Sequence, residues 1–191
     1  MKRLSILIVI SLLAGCGDSA PTGPDDDLML TGVEFLTLAE FDGYIADVQS
    51  TIPDVNIMIA EFAAIAADFN AGFVPDYWIG EYTKNLLRRV DGVQAQAMRI
   101  RPQHPELLKL HTEEYEASLA AFNVGFTLFV QGIEQPGSVG IDAVNDHIVD
   151  GNTHLIRLQI LLGDLGGRNI DFFAQQGGGG QPDDGFDGFG F

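Results

Sequence analysis

Residues 141–167 read IDAVNDHIVDGNTHLIRLQILLGDLGG, and this stretch decides the fold. Ile141, Val144, Ile148, Gly151, Leu155, Leu158, Leu162 and Leu165 follow one another in alternating steps of three and four, which lines up one face of an α-helix and fits no strand. Gly166-Gly167 ends the run. One such helix cannot cover its own apolar face, so the rest of the chain must supply partners.

Reading back towards the N-terminus, three more stripes of the same period appear. Leu108, His111, Tyr115, Leu119, Phe122, Phe126, Phe129 and Ile133 form one, opened by His104-Pro105-Glu106 with proline in the first turn and closed at Pro136-Gly137. Ile79, Tyr82, Leu86, Val90, Val93, Ala97 and Ile100 form another, between Val74-Pro75-Asp76 and Pro102. Leu38, Phe41, Ile45, Val48, Ile52, Val55, Met58, Phe62, Ile65 and Phe69 form the first, ended by Asn70-Ala71-Gly72. Pro53 interrupts it, and a proline inside a helix costs about 3 kcal/mol. The apolar face stays nearly in phase across it, so a helix bent near Pro53 is favoured over a split into two. No segment alternates with period two for long enough to make a sheet. The expected fold is all-α, an up-down-up-down four-helix bundle over residues 32–173, because short connections between long helices force antiparallel neighbours.

The 191 residues are 46% hydrophobic and 19% charged, enough for one core. Acids outnumber bases 27 to 10, and a net charge of −17 repels phosphate backbones, so nucleic acid is not an expected partner. The single cysteine, Cys16, excludes an internal disulfide and any site built from several thiolates.

Cys16 stands at the end of an address. Lys2 and Arg3 precede the apolar run Leu4 to Leu13, which is too short to span a bilayer, and small residues follow it, as in a cleaved export signal. The run Leu13-Ala14-Gly15-Cys16 resembles the lipobox of bacterial lipoproteins. The resemblance covers about the first 20 residues. It implies cleavage between Gly15 and Cys16, and diacylglycerol on the Cys16 thiol with a further acyl chain on the new amino terminus. The position after the cysteine holds Gly17 where inner-membrane retention uses aspartate, which implies outer-membrane delivery in a cell with two membranes. Residues 1–15 are then a signal peptide. Loss of Lys2 and Arg3 leaves 8 bases against 27 acids, a charge of −19, so the membrane attachment must be lipid. Residues 16–31, with Pro21, Gly23, Pro24 and Asp25-Asp26-Asp27, read as a flexible acidic tether. Residues 174–191, with seven glycines in the last fifteen positions among Asp and Phe, read as a disordered tail.

Sites of chemistry are sparse. The histidines form two pairs seven residues apart, His104 with His111 and His147 with His154, and seven helical residues rise about 10 Å, too far for one ion. Neither Glu-x-x-His nor His-Glu-x-x-His occurs, and no metal ligand set is assigned. His111 falls on an apolar stripe one turn from Tyr115. It reads either as a core histidine whose nitrogens are satisfied or as the polar point of a small ligand pocket, with Tyr115 beside it. On the first reading, His111→Leu is expected to leave the bundle folded and slightly more stable. Lys84, Arg88, Arg89, Arg99 and Arg101 gather on the second helix, and an antiparallel third helix would set Glu113 and Glu116 near Arg88 and Arg89. Phe122, Phe126 and Phe129 read as core. Motifs for serine or cysteine nucleophiles, phosphate loops and dinucleotide loops are missing, so no catalytic residue is assigned.

The expectation is therefore a lipid-anchored, extracytoplasmic, monomeric bundle with no cofactor beyond the acyl chains on Cys16. Its role is non-catalytic binding or scaffolding towards an envelope or extracellular protein. The second reading is a small-ligand or metal-binding bundle with a polar site near His111.

Overall fold

The computed structural model describes residues 35–172. Cleavage after Gly15, acylation of Cys16, the tether and the tail all fall outside these residues. Among the described residues the chain is all-α: α1 (Leu38–Ala71), α2 (Asp76–Ala97), α3 (Pro105–Leu110), a π-helical segment π1 (His111–Glu116), α4 (Ala117–Glu134) and α5 (Ile141–Gly166). α3, π1 and α4 follow without a break, so four helical rods pack round one core.

Local chemistry sets the ends. Thr37 and Glu40 form a capping box at the start of α1, the Thr37 hydroxyl accepting from the Glu40 amide at 3.2 Å and the Thr37 amide donating to Glu40 Oε2 at 3.0 Å. The Thr37 hydroxyl also donates to Glu40 Oε2 at 2.6 Å, and this bond, with the one from the Thr37 amide, holds the Glu40 carboxyl below its ordinary pKa. Gly72 closes α1 in the left-handed region at φ 70°, as Gly167 closes α5 at φ 59°, conformations that disfavour any side chain. His104 caps α3, its ring accepting from the Glu106 amide at 3.3 Å, and Pro105 takes the first helical position.

α1 is a single helix through Pro53, so the split into two does not occur. Pro53 and Gln49, whose carbonyl loses its helical donor there, both face solvent, where water can serve it.

Three predicted core positions move. Leu38 is exposed, since it lies in the first turn beyond the core. Tyr82 is exposed and Thr83 is buried in its place, the hydroxyl returning to the Ile79 carbonyl at 2.9 Å. Leu108 is exposed and Leu107 buried. That last shift follows from π1. Leu107, His111, Tyr115 and Leu119 are all buried and lie four residues apart, and in an α-helix each such step overshoots a full turn by about 40°. The wider π turn absorbs the excess.

The rods meet at named pairs. Lys84 lies 2.6 Å from Glu134, Asn123 bonds Asp91 and Gln94, and Arg101 pairs with Glu116 at 3.1 Å. Gly125 admits Ile148, Gly151 admits the Phe122 ring, and the Ser118 hydroxyl donates to the Gly151 carbonyl at 2.8 Å. Phe62 stacks on Phe126 at 4.3 Å between centroids, Phe69 meets Phe129 edge-on, and Gly166 takes the Phe41 ring. The three phenylalanines of α4 are core, as their spacing predicts. Arg89 pairs with Glu61 of α1 at 2.5 Å and Arg88 bonds Asn85, so the expected pairing of both with Glu113 and Glu116 is replaced.

Candidate functional site

π1 places His111, Glu114 and Tyr115 inside the bundle together, and these are its buried polar groups. His111 and Tyr115, read from the sequence as a polar point, do meet, with ring centroids 5.4 Å apart. Both are fully enclosed and face α1.

Each polar atom there has a partner. His111 Nε2 lies 3.0 Å from the Ala97 carbonyl, the last residue of α2, and its Nδ1 lies 3.2 Å from the Tyr44 hydroxyl. A carbonyl can only accept, so Nε2 carries the proton and Nδ1 accepts from Tyr44. Burial is the largest influence on the imidazole and lowers its pKa below the ordinary 6.5, which keeps it neutral at pH 7. The Thr51 hydroxyl donates to the Val48 carbonyl at 2.7 Å and so accepts from the Tyr115 hydroxyl, a short contact. Burial pushes Tyr115 up to about 12 and raises Tyr44 as well. Among the described residues no buried side-chain nitrogen or oxygen lacks a bond. The network is closed: both nitrogens of His111 are engaged, leaving neither a free proton nor a free lone pair for a solute.

Glu114 is legible in the sequence beside His111 and Tyr115, but its pairing with His154 is not. Glu114, nearly fully buried, accepts from His154 Nδ1 at 2.6 Å, and Arg157 stands 3.6 Å from its second oxygen. The signal was present as Glu114 next to Tyr115 on a buried face, but α5 had to be set in register to supply His154. Asp150 lies 3.8 Å from Nε2 on the other side of the ring, so the two carboxylates flank the imidazole and do not converge with it on a point. Among the described residues no group of three or more His, Cys, Asp and Glu is arranged to hold a metal ion.

Open space lies elsewhere. A surface cleft of about 200 Å³ sits between the first turns of α1 and the loop after α2, lined by Glu40, Tyr44, Asp47, Arg101 and Leu107. It reaches Tyr44 and stops short of His111 and Tyr115. Ligand pockets usually run from about 300 Å³ upward, so the cleft is small for one. Inside the bundle a void of about 10 Å³ between Phe62, Phe122, Phe126 and Ile148 is no larger than one water. The surface carries a further feature: Phe73, Tyr77, Trp78 and Tyr82 all stand in solvent at the turn between α1 and α2. None was read as a site in the sequence, and Tyr82 was read as core. No protein family, curated protein or solved structure matches the chain.

Proposed function

We propose that the chain is a bacterial lipoprotein, cleaved after Gly15, acylated on Cys16 and held outside the cytoplasm, at the outer membrane where the cell has two. The observation that carries this reading is Cys16 directly after Leu13-Ala14-Gly15 at the end of a short apolar run behind Lys2 and Arg3. Among the described residues no helix is long and apolar enough to cross a membrane.

The domain is a monomeric up-down-up-down four-helix bundle with its first helix bent at Pro53. In its support, numbers rise on one rod as they fall on the next: 84, 91 and 101 meet 134, 123 and 116, while 118, 122 and 125 meet 151 and 148. Between α1 and the third rod they rise together, 44 with 111, 51 with 115 and 62 with 126, as expected of diagonal neighbours.

Its role is non-catalytic binding or scaffolding towards an envelope or extracellular protein. The closed buried network supports this, because it leaves the exposed helical faces to make contacts. Intact mass and membrane fractionation of wild type and Cys16→Ala test the anchor. The expected result is a lipid-sized mass and membrane recovery, both lost in the variant. Equal mass chemistry and equal partition of the two would overturn it.

A further inference from the structure

Where α1 turns into α2, four aromatic side chains face water within ten residues. Phe73 in the connection is 91% exposed, and Tyr77, Trp78 and Tyr82 on α2 are 67, 51 and 46% exposed. The three rings on α2 adjoin one another. Tyr77 meets Trp78 edge-on with centroids 5.2 Å apart, and Trp78 lies near-parallel to Tyr82 at 6.4 Å. Tyr82 follows Trp78 by four residues, so both leave the helix on one face, while Ile79, Gly80, Thr83 and Leu86 supply the face that enters the core. Contiguous aromatic surface left in water marks a place of contact.

Charge selects the occupant. Asp76 precedes the rings, and Glu81 lies one turn from both Tyr77 and Trp78. Lys84, the next cation along α2, is held between Glu81 at 3.1 Å and Glu134 at 2.6 Å. Three carboxylates against one ammonium leave the patch negative, on a chain that already carries −17. Phosphate, nucleic acid and anionic lipid are repelled there. A guanidinium is attracted twice, by the negative face of Trp or Tyr and by a carboxylate within reach of its fork. The molecule uses this pairing within itself, where Arg168 lies 5.2 Å over the Phe41 ring while its Nη2 bonds Asp42.

We propose that this aromatic end of the bundle docks an arginine-rich segment of a partner protein, guanidinium groups stacking on Trp78 and Tyr82 and pairing with Glu81. The inference rests on the binding role proposed above and gives it a surface, and it is independent of whether Cys16 is acylated. The 34 residues of α1 rise about 50 Å, so the patch lies at the end of that helix remote from Leu38, where the N-terminal segment joins.

Trp78 is the only tryptophan in the chain, so its emission reads the site directly. The full-length protein is titrated at physiological salt with tryptophan-free octa-arginine, with octa-lysine, with a neutral chitin oligosaccharide and with zwitterionic phosphatidylcholine vesicles. The expected result is a saturable change in Trp78 emission with octa-arginine, weaker with octa-lysine and missing with the other two. Tyr82→Phe should retain the affinity, and Tyr82→Leu, which keeps apolar area but no ring, should lose about tenfold. Glu81→Gln should weaken binding in the same direction. Tyr82 is exposed and melting should be unchanged, and the Phe and Leu variants control for one another. An unresponsive Trp78, or equal affinity in Tyr82→Leu, would overturn the proposal in favour of general attraction between a polycation and an acidic protein. A response to the oligosaccharide or the vesicles in place of octa-arginine would also overturn it and name the other occupant. Fractionation of Cys16→Ala fails or succeeds separately, so the two readings fall apart from one another.

Discussion

The Nε2 of His111 lies 3.0 Å from the carbonyl oxygen of Ala97, tying π1 to the end of α2 in the interior. This contact reverses the stability expected of a leucine at that position. In His111→Leu both the Ala97 carbonyl and the buried Tyr44 hydroxyl lose their partner. Each unpaired buried group costs about 1–3 kcal/mol, against which the added apolar fit of leucine is small. The variant should lose about 2–4 kcal/mol in urea unfolding, and His111→Gln, which keeps one donor and one acceptor, should lose less. A leucine variant as stable as wild type would mean that the pair of bonds contributes nothing net.

The same burial makes stability depend on pH. The folded state holds His111 below the ordinary value of 6.5, so between the two values the unfolded chain binds a proton that the folded chain refuses. Its contribution is complete above pH 6.5 and is lost as pH falls through that window. Tyr115 acts at the other end: pushed up to about 12 from 10.0, it stays protonated in the fold while the unfolded chain ionises, so stability falls as pH rises between those values. Urea midpoints of wild type and His111→Gln between pH 7 and pH 5 isolate the first effect. The wild type should fall more steeply, by at most about 1.4 kcal/mol per pH unit for one proton. Parallel curves would show that His111 does not titrate differently in the two states.

Legibility from sequence tracked periodicity. α5 keeps strict three-and-four spacing, and its predicted face is the buried one, Val144 to Leu162. Where two residues of similar size stand side by side the period does not choose: Leu107 and Leu108 differ only through π1, and a π turn announces itself as no more than a run of four-residue steps. Tyr82 and Thr83 show a second limit. Hydropathy favours the tyrosine for the core, but α2 rotates to bury Thr83, whose hydroxyl finds the Ile79 carbonyl in its own helix and so needs no other partner. The His111–Tyr115 proximity was legible, because four residues make one turn. Their partners Tyr44, Thr51 and Ala97 were not, because two come from α1 and one from a backbone carbonyl, and pairwise register between rods is not written in the period of either.

Glu114 and His154 give a direct measure of that register. They are 40 residues apart in sequence and meet at 2.6 Å across π1 and α5. Each of Glu114→Ala and His154→Ala should lose about 1–3 kcal/mol, since each leaves the other group short of a bond. The double variant should lose less than their sum, with a coupling energy of at least about 1 kcal/mol. Strict additivity in the denaturation cycle would show that the two side chains do not act on one another.

Gly151 tests the closeness of α4 and α5. A β-carbon there would lie 2.9 Å from two atoms of the Phe122 ring, which is fully buried, so the ring would have to shift within the core. Alanine in place of glycine inside a helix contributes about 1 kcal/mol of propensity. Forcing atoms into a packed core costs about 1–3 kcal/mol, so Gly151→Ala should be net destabilising. Gly43 in α1 is the control: a β-carbon there meets nothing within 4 Å, and Gly43→Ala should raise stability by about 1 kcal/mol. Phe122→Leu in the Gly151→Ala background should recover part of the loss by vacating the ring's space, although Phe122→Leu alone lowers stability. Thermal melts of the four variants decide it. Equal gains at positions 43 and 151 would mean that α4 and α5 sit further apart than the contact of Gly151 with Phe122 requires.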